Sequence, residues 1–214
     1  MKGYAHTIGL PRMLWRMDGW GELETTQNFE LVNYTLYDRE TFADLDIFMS
    51  FNPQTKIASI KRKNNKTSKI KDKNIELYQG FDAAGLGYLV RTLDWKTGQK
   101  RSFEFTDGAE RYVILLKAGP IEQVQVSAGK FNAIRLDPYL FRVPRTKSKE
   151  KPELIQNIQA LNTWKQIAEY ARIWMALDGT RPYVLVKGMS FIGEVSLELT
   201  DLNAQMPEVP VSGK

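Results

Sequence analysis

At 214 residues, 43% hydrophobic and 11% aromatic, the chain is long enough for one domain with a full core and too apolar for wholesale disorder. Its formal charge of +5 is concentrated in two runs: Lys61–Lys73 holds seven basic residues and one acid, and Arg145–Lys151 holds four and one. The remainder is net acidic, which argues against the broad basic face of a nucleic-acid-binding domain. The absence of cysteine excludes disulfides, thiol nucleophiles and cysteine metal sites.

The N-terminal stretch MKGYAHTIGLPRMLWRMDGW does not read as a signal peptide, because His6, Pro11, Arg12, Arg16 and Asp18 interrupt its apolar residues. No window nears the roughly 20 apolar residues of a membrane span. Residues 1–12 and 203–214 read as loose tails on a single domain covering 1–214.

Beyond the start, apolar-polar alternation dominates. In DLDIFMSF, Leu45, Ile47, Met49 and Phe51 share one face. Asp44 and Asp46 fall on the other face, toward solvent. The basic run Lys61–Lys73 has polar filler and one apolar residue, Ile70, and reads as a solvated hairpin loop between IASIK and IELY. It lacks the interleaved aromatics that stack on bases. FDAAGLGYLVRTL, Phe81–Leu93, has the spacing of a short helix. Its Gly85 and Gly87 lack the third glycine of a dinucleotide loop and suit close packing on a sheet.

In RSFEFTDG, Phe103 and Phe105 face inward while Ser102 and Glu104 face outward, and Asp107-Gly108 makes the turn. ERYVILLKAG is a strand apolar on both faces, followed by IEQVQVSAG with Val124 and Val126 inward. Ala128-Gly129 turns the chain again into KFNAIRLDP. KPELIQNIQALNTWKQIAEYA, Lys151–Ala171, carries Leu154, Ile158, Leu161, Trp164 and Ile167 at helical spacing after Pro152. With the basic run before it, 145–170 reads as a basic and helical insert suited to docking a protein partner. In GEVSLELT, Val195, Leu197 and Leu199 oppose Glu194, Ser196 and Glu198. About ten short strands at this spacing imply a mainly β protein, a curled antiparallel sheet forming a barrel or half-barrel with one short helix against it.

Proton-transfer and metal chemistry are poorly supplied. The only histidine is His6, so a serine triad or a histidine metal site lacks its parts. The acid pairs Glu22 with Glu24 and Glu194 with Glu198 fall on outer strand faces rather than across a cleft. No cofactor is expected. The five tryptophans, nine tyrosines and ten phenylalanines are generous for a curled sheet. They suggest a binding protein whose interior admits a lipid or other apolar ligand, walled by Leu45, Ile47, Met49, Phe103, Phe105, Val195 and Leu197.

ARIWMALDGTRPYVLVKGMSFIGEVSLELTDL resembles the closing hairpins of the bacterial family termed domain of unknown function 3108, through Trp174, Asp178, Pro182, Gly193 and Leu199. FDAAGLGYLVRTLDWKTGQKRSFEFTDG is similar to its helix-and-strand segment through Asp82, Tyr88, Arg91, Gly98 and Gly108. VQVSAGKFNAIRL is similar to its small-glycine-aromatic strand pair through Gly129 and Phe131. The resemblance covers residues 75–202 and implies an exported, mostly β protein of the cell envelope with no assigned reaction. A periplasmic or envelope location holds if the chain is a processed form, and a cytoplasmic one otherwise. The expected function is non-catalytic binding of an apolar ligand or a protein partner. The alternatives are a structural subunit docking through 145–170 and, last, an enzyme acting on polysaccharide.

Overall fold

The computed structural model describes residues 2–6, 17–41, 44–143, 166–168, 171–190 and 193–202. Their contacts gather into two compact units, one within Met1–Gly85 and the other within Leu86–Ala204. The described residues are mainly β and antiparallel, with one short helix.

The first unit is a six-stranded meander in sequence order: β1 (Lys2–His6), β2 (Met17–Thr25), β3 (Leu31–Glu40), β4 (Asp44–Asn52), β5 (Ile57–Asn64) and β6 (Lys69–Glu76). Alternation sends one side of strands β2 to β6 into a core of Leu23, Leu31, Ile47, Met49, Phe51, Ala58, Ile60 and Ile75, which Leu77 joins just past β6. Burying side chains of this size contributes about 1.5–3 kcal/mol each, which fixes the register. Leu31 N–H donates to Gly80 O, closing the end of this core.

The basic run is where the solvated-loop expectation needs correction. Lys61–Asn64 and Lys69–Lys73 are paired strand residues, with Arg62 opposite Lys71 and Ile60 opposite Lys73, and only Asn65–Ser68 forms the turn. Lysines on the terminal strand β6 keep it soluble while β5 and β6 bury Ile60 and Ile75.

Helix α1 (Ala83–Thr92) forms as its spacing predicts. Asp82 caps it, accepting hydrogen bonds from Gly85 N at 2.8 Å and Ala84 N at 3.2 Å. Gly85 is required: a Cβ there would lie 2.7 Å from Phe29 O. Ten residues make a marginal helix in isolation. Its later turns are clasped to a distant turn, since Arg91 donates to Thr180 O and Arg181 O, while Arg181 donates to Leu93 O and Asp94 Oδ1. Tyr183 Oη donates to Gly87 O at 2.6 Å.

The second unit holds β7 (Lys100–Thr106), β8 (Arg111–Val126), β9 (Gly129–Arg142), β10 (Gln166–Ala168), β11 (Arg172–Ala176), β12 (Tyr183–Ser190) and β13 (Gly193–Glu198). The strand order is β13-β12-β11-β9-β8-β7, with β10 also on β9. The two stretches on either side of Gly119-Pro120 are one long strand, β8, whose pairing to β9 shifts between Ala118 and Ile121. Proline fits that irregularity because it withdraws no needed ladder donor. The strands thus form two sheets rather than a single curled one. Among the described residues each sheet runs between two terminal strands with no closing pair. The helix expected over Lys151–Ala171 lies mostly outside the described residues; its Gln166–Ala168 is strand.

The largest departure from alternation is Glu104. Period two places it outward, yet Phe103, Glu104, Phe105 and Thr106 are all buried, and Glu104 is wholly inaccessible. Both faces of β7 are covered there, and the carboxylate is held by the guanidinium of Arg111, itself 6% exposed.

Candidate functional site

The expected apolar walls do not come together as one described cavity. Ile47 and Met49 are packed into the first unit's core and Leu45 is half-buried against it. Phe103 and Phe105 are buried on β7 of the second unit, with Phe105 stacked on Tyr112 at 5.5 Å. Leu197 corrects the expectation of an inward face on β13, being 67% exposed. Val195 belongs to the same strand, and its side chain lies outside the described residues, as does that of Glu194.

Among the described residues, an accessible concavity lies on the opposite, solvent side of the first sheet. A groove of about 470 Å³ crosses β3 to β6. Strand pairing builds its floor from two rungs: Asn33–Ser50–Ser59–Asn74, and Thr35–Phe48–Lys61–Asp72. The rungs supply hydroxyls, amides and one opposed Lys–Asp pair around Phe48, which is 39% exposed, and Tyr34, Met49, Ile60 and Lys73 complete the lining.

Next to it, cross-strand partners Trp20 and Tyr37 stack at 5.2 Å, and Phe48 meets Tyr37 edge-on at 6.3 Å. The Arg39 guanidinium lies 5.2 Å from the Trp20 ring. It also holds Asp44 at 3.0 Å and Asp46 at 2.7 Å. Asn65 donates to the Oδ1 of both carboxylates, tying them to the same guanidinium network. Among the described residues no group of three metal-ligating side chains occurs.

The remaining acids are similarly engaged. Asp82 caps α1; burial raises its carboxyl above the ordinary range, against the lowering effect of the amides of Gly85, Ala84 and its own residue. Burial, reinforced by the charges of Asp82 and Asp38, pushes the Tyr34 phenol up to about 12. Tyr183 is raised by burial as well, and Tyr112 by burial and by Asp107, whose Oδ2 accepts its hydroxyl hydrogen bond at 3.1 Å. Glu22 and Glu24 are exposed on β2, and Glu24 accepts a hydrogen bond from Asn33. Sequence reasoning missed both the groove and the Glu104–Arg111 pair. Register would have exposed them, because it is register that sets Lys61 opposite Asp72 and Thr106 opposite Arg111.

The family model described as Protein of unknown function (DUF3108) matches residues 1–200. The chain belongs to the DUF3108 family. No curated protein and no solved structure gives a significant match. Membership extends past the recognisable segment, residues 75–202, to include the first sheet. The DUF3108 positions singled out in the sequence do structural work here. Asp82 caps the helix, Arg91 clasps it, and Trp174 sits in a core with Val124, Val126, Phe131, Ala133, Ala176 and Val184. Gly98, Gly108 and Gly129 have positive φ, at 83°, 80° and 133°, where a side chain would be strained.

Proposed function

We propose that this DUF3108 protein is a non-catalytic binding protein of the cell envelope, and that it holds a protein partner against the solvent side of its first sheet. The observation that carries this reading is the groove on that face. An exposed Phe48 at the centre of Asn33, Ser50, Ser59, Lys61, Asp72 and Asn74 has the make-up of a protein interface, an aromatic anchor within a hydrogen-bonding surround. Engagement of the buried acids by protein partners supports binding over reaction. The likeness to exported envelope proteins supports the location.

The test is site-specific photocrosslinking in the native host. A photoreactive residue at Ser50 or Ser59 should give a discrete adduct that Phe48→Glu abolishes, while one at Lys130 on the second unit gives none. Absence of an adduct from both groove positions would overturn the reading. Cell fractionation checks the location.

A second reading, carriage of an apolar ligand within a half-barrel curl, draws on the inward apolar face formed by Leu36, Ile47, Met49 and Ile60. It requires that packed face to open. Saturable uptake of an environment-sensitive apolar dye, unaffected by Phe48→Glu, would favour it over the groove.

A further inference from the structure

Beyond Lys61 and Lys73, which line the groove, the β5–β6 hairpin carries cations that partner binding there does not use. From Lys61 to Lys71 there are six cations and no acid. Pairing converts this run into two strands ending in the Asn65–Ser68 turn, so the cations are fixed in place rather than spread over a loop. Alternation sets Lys69, Lys71 and Lys73 on one face of the terminal strand β6, with Arg62 directly opposite Lys71. At strand spacing these three lysines span about 14 Å. Lys61 and Lys63 face the other way, and Lys66 occupies the turn, where it donates to Thr41 O. The nearest acid in the hairpin, Asp72, lies on the face opposite Lys71 and Lys73.

One apolar side chain stands in this basic tip. Ile70, directly opposite Lys63 and on the same face as Asp72, is 54% exposed; it points away from the face of Lys69 and Lys71, so cations of both faces and the isoleucine meet one surface only when the hairpin approaches it end-on. A soluble polyanion would reward the cations but not the isoleucine, and a nucleic acid would call for aromatic rings that the hairpin lacks. A bilayer with anionic headgroups rewards both, cations in the headgroup layer and an apolar side chain at the acyl boundary.

We propose that the tip of the β5–β6 hairpin, through Arg62, Lys63, Lys66, Lys69, Lys71 and Ile70, docks the protein peripherally on an anionic phospholipid surface. Edge protection against aggregation explains lysines on β6. It explains neither the cations of β5 and the turn nor an exposed isoleucine on the same edge.

The experiment is co-sedimentation of the full chain with vesicles of phosphatidylcholine alone and with phosphatidylglycerol added. The protein should partition onto the anionic vesicles and not the neutral ones, and should be released as salt shortens the screening length. Each lysine near an anionic surface is worth about a factor of five, so Lys69→Gln/Lys71→Gln should lower the partition coefficient about 25-fold. Ile70→Ser should lower it several-fold without changing the salt dependence, and Lys117→Gln/Lys130→Gln on the second unit should leave it unchanged. Equal partition onto both vesicle types overturns the proposal. So does a tip double variant that binds like the parent, or capture by soluble polyphosphate with no vesicle binding. Should the double variant fail to fold, the salt series on the parent and the Ile70→Ser variant decide the matter in the same terms.

Discussion

Removing one member of the Glu104–Arg111 pair should be among the most damaging single changes in this protein. Glu104 is wholly buried and Arg111 is 6% exposed, so Glu104→Ala removes the charge that neutralises a guanidinium with little access to water. Loss of one partner from a buried pair costs about 3–5 kcal/mol, a large fraction of the roughly 5–15 kcal/mol that holds a typical domain. Arg111→Ala should cost a similar amount by leaving the carboxylate. Glu104→Gln keeps the shape and an acceptor oxygen, and should fall lower, about 1.5–3 kcal/mol, the worth of a charge-assisted hydrogen bond. Glu104→Leu/Arg111→Leu removes both charges together, and should be much closer to the parent than either alanine variant. Urea unfolding of the four variants and the parent, read at the midpoint with the slope checked for constancy, gives the full cycle. If Glu104→Ala lies within about 1 kcal/mol of the parent, the pair is hydrated in solution and the argument from burial fails.

Three further outcomes follow from the fold. Trp174→Ala should lose about 3–5 kcal/mol in the same unfolding assay, because the ring fills a core and its Nε1 donates to Glu122 at 2.9 Å. Asp82 has a raised folded-state pKa, so its charge opposes folding above that pKa and the opposition fades as pH falls toward the ordinary carboxylate value. Asp82→Asn should therefore flatten this part of the stability–pH curve while keeping the cap, whereas Asp82→Ala should cost about 1 kcal/mol, both read by chemical unfolding across the acid range. Replacing Thr67-Ser68 by Gly-Gly, which spares the Asn65 and Lys66 hydrogen bonds, should barely move the thermal midpoint, but replacing all of Lys61–Lys73 should lower it sharply by uncovering Ile60 and Ile75.

Alternation located the strands well where one face meets water. Ile47, Met49 and Phe51 are buried in the order that period two predicts, and Phe103, Phe105, Val124 and Val126 follow the same rule. The rule failed where its premise failed. Glu104 lies on a strand covered on both sides, so outward no longer means wet, and an acid there needs a partner that only strand pairing reveals. The basic run illustrates a different limit. Lysine has modest strand propensity and the run has few apolar positions, so composition resembled a loop; the register with β4 and the burial of Ile60 and Ile75 outweigh that local preference. The groove was illegible for a third reason. Asn33, Ser50, Ser59 and Asn74 lie far apart in sequence, and each alone is an ordinary exposed polar residue. Leu197 shows that an alternating terminal strand does not say which of its faces is covered.

The clasp between α1 and the Thr180–Tyr183 segment bears on how the chain acquires its shape during synthesis. Arg91, Leu93 and Asp94 meet partners about ninety positions downstream. A ten-residue helix gains little by itself, so until those downstream residues leave the ribosome its last turns are held only by local bonds such as Trp95 Nε1 to Val90 O. The first sheet, a meander of neighbouring hairpins, carries no such dependence and can pair as it emerges. Translation therefore passes through an interval, set by the time to add some ninety amino acids, in which an ordered N-terminal sheet is followed by an unanchored helix. A pause or truncation between Asp94 and Thr180 would prolong that interval, and a nascent chain arrested there is where a chaperone would find exposed Leu86 and Val90.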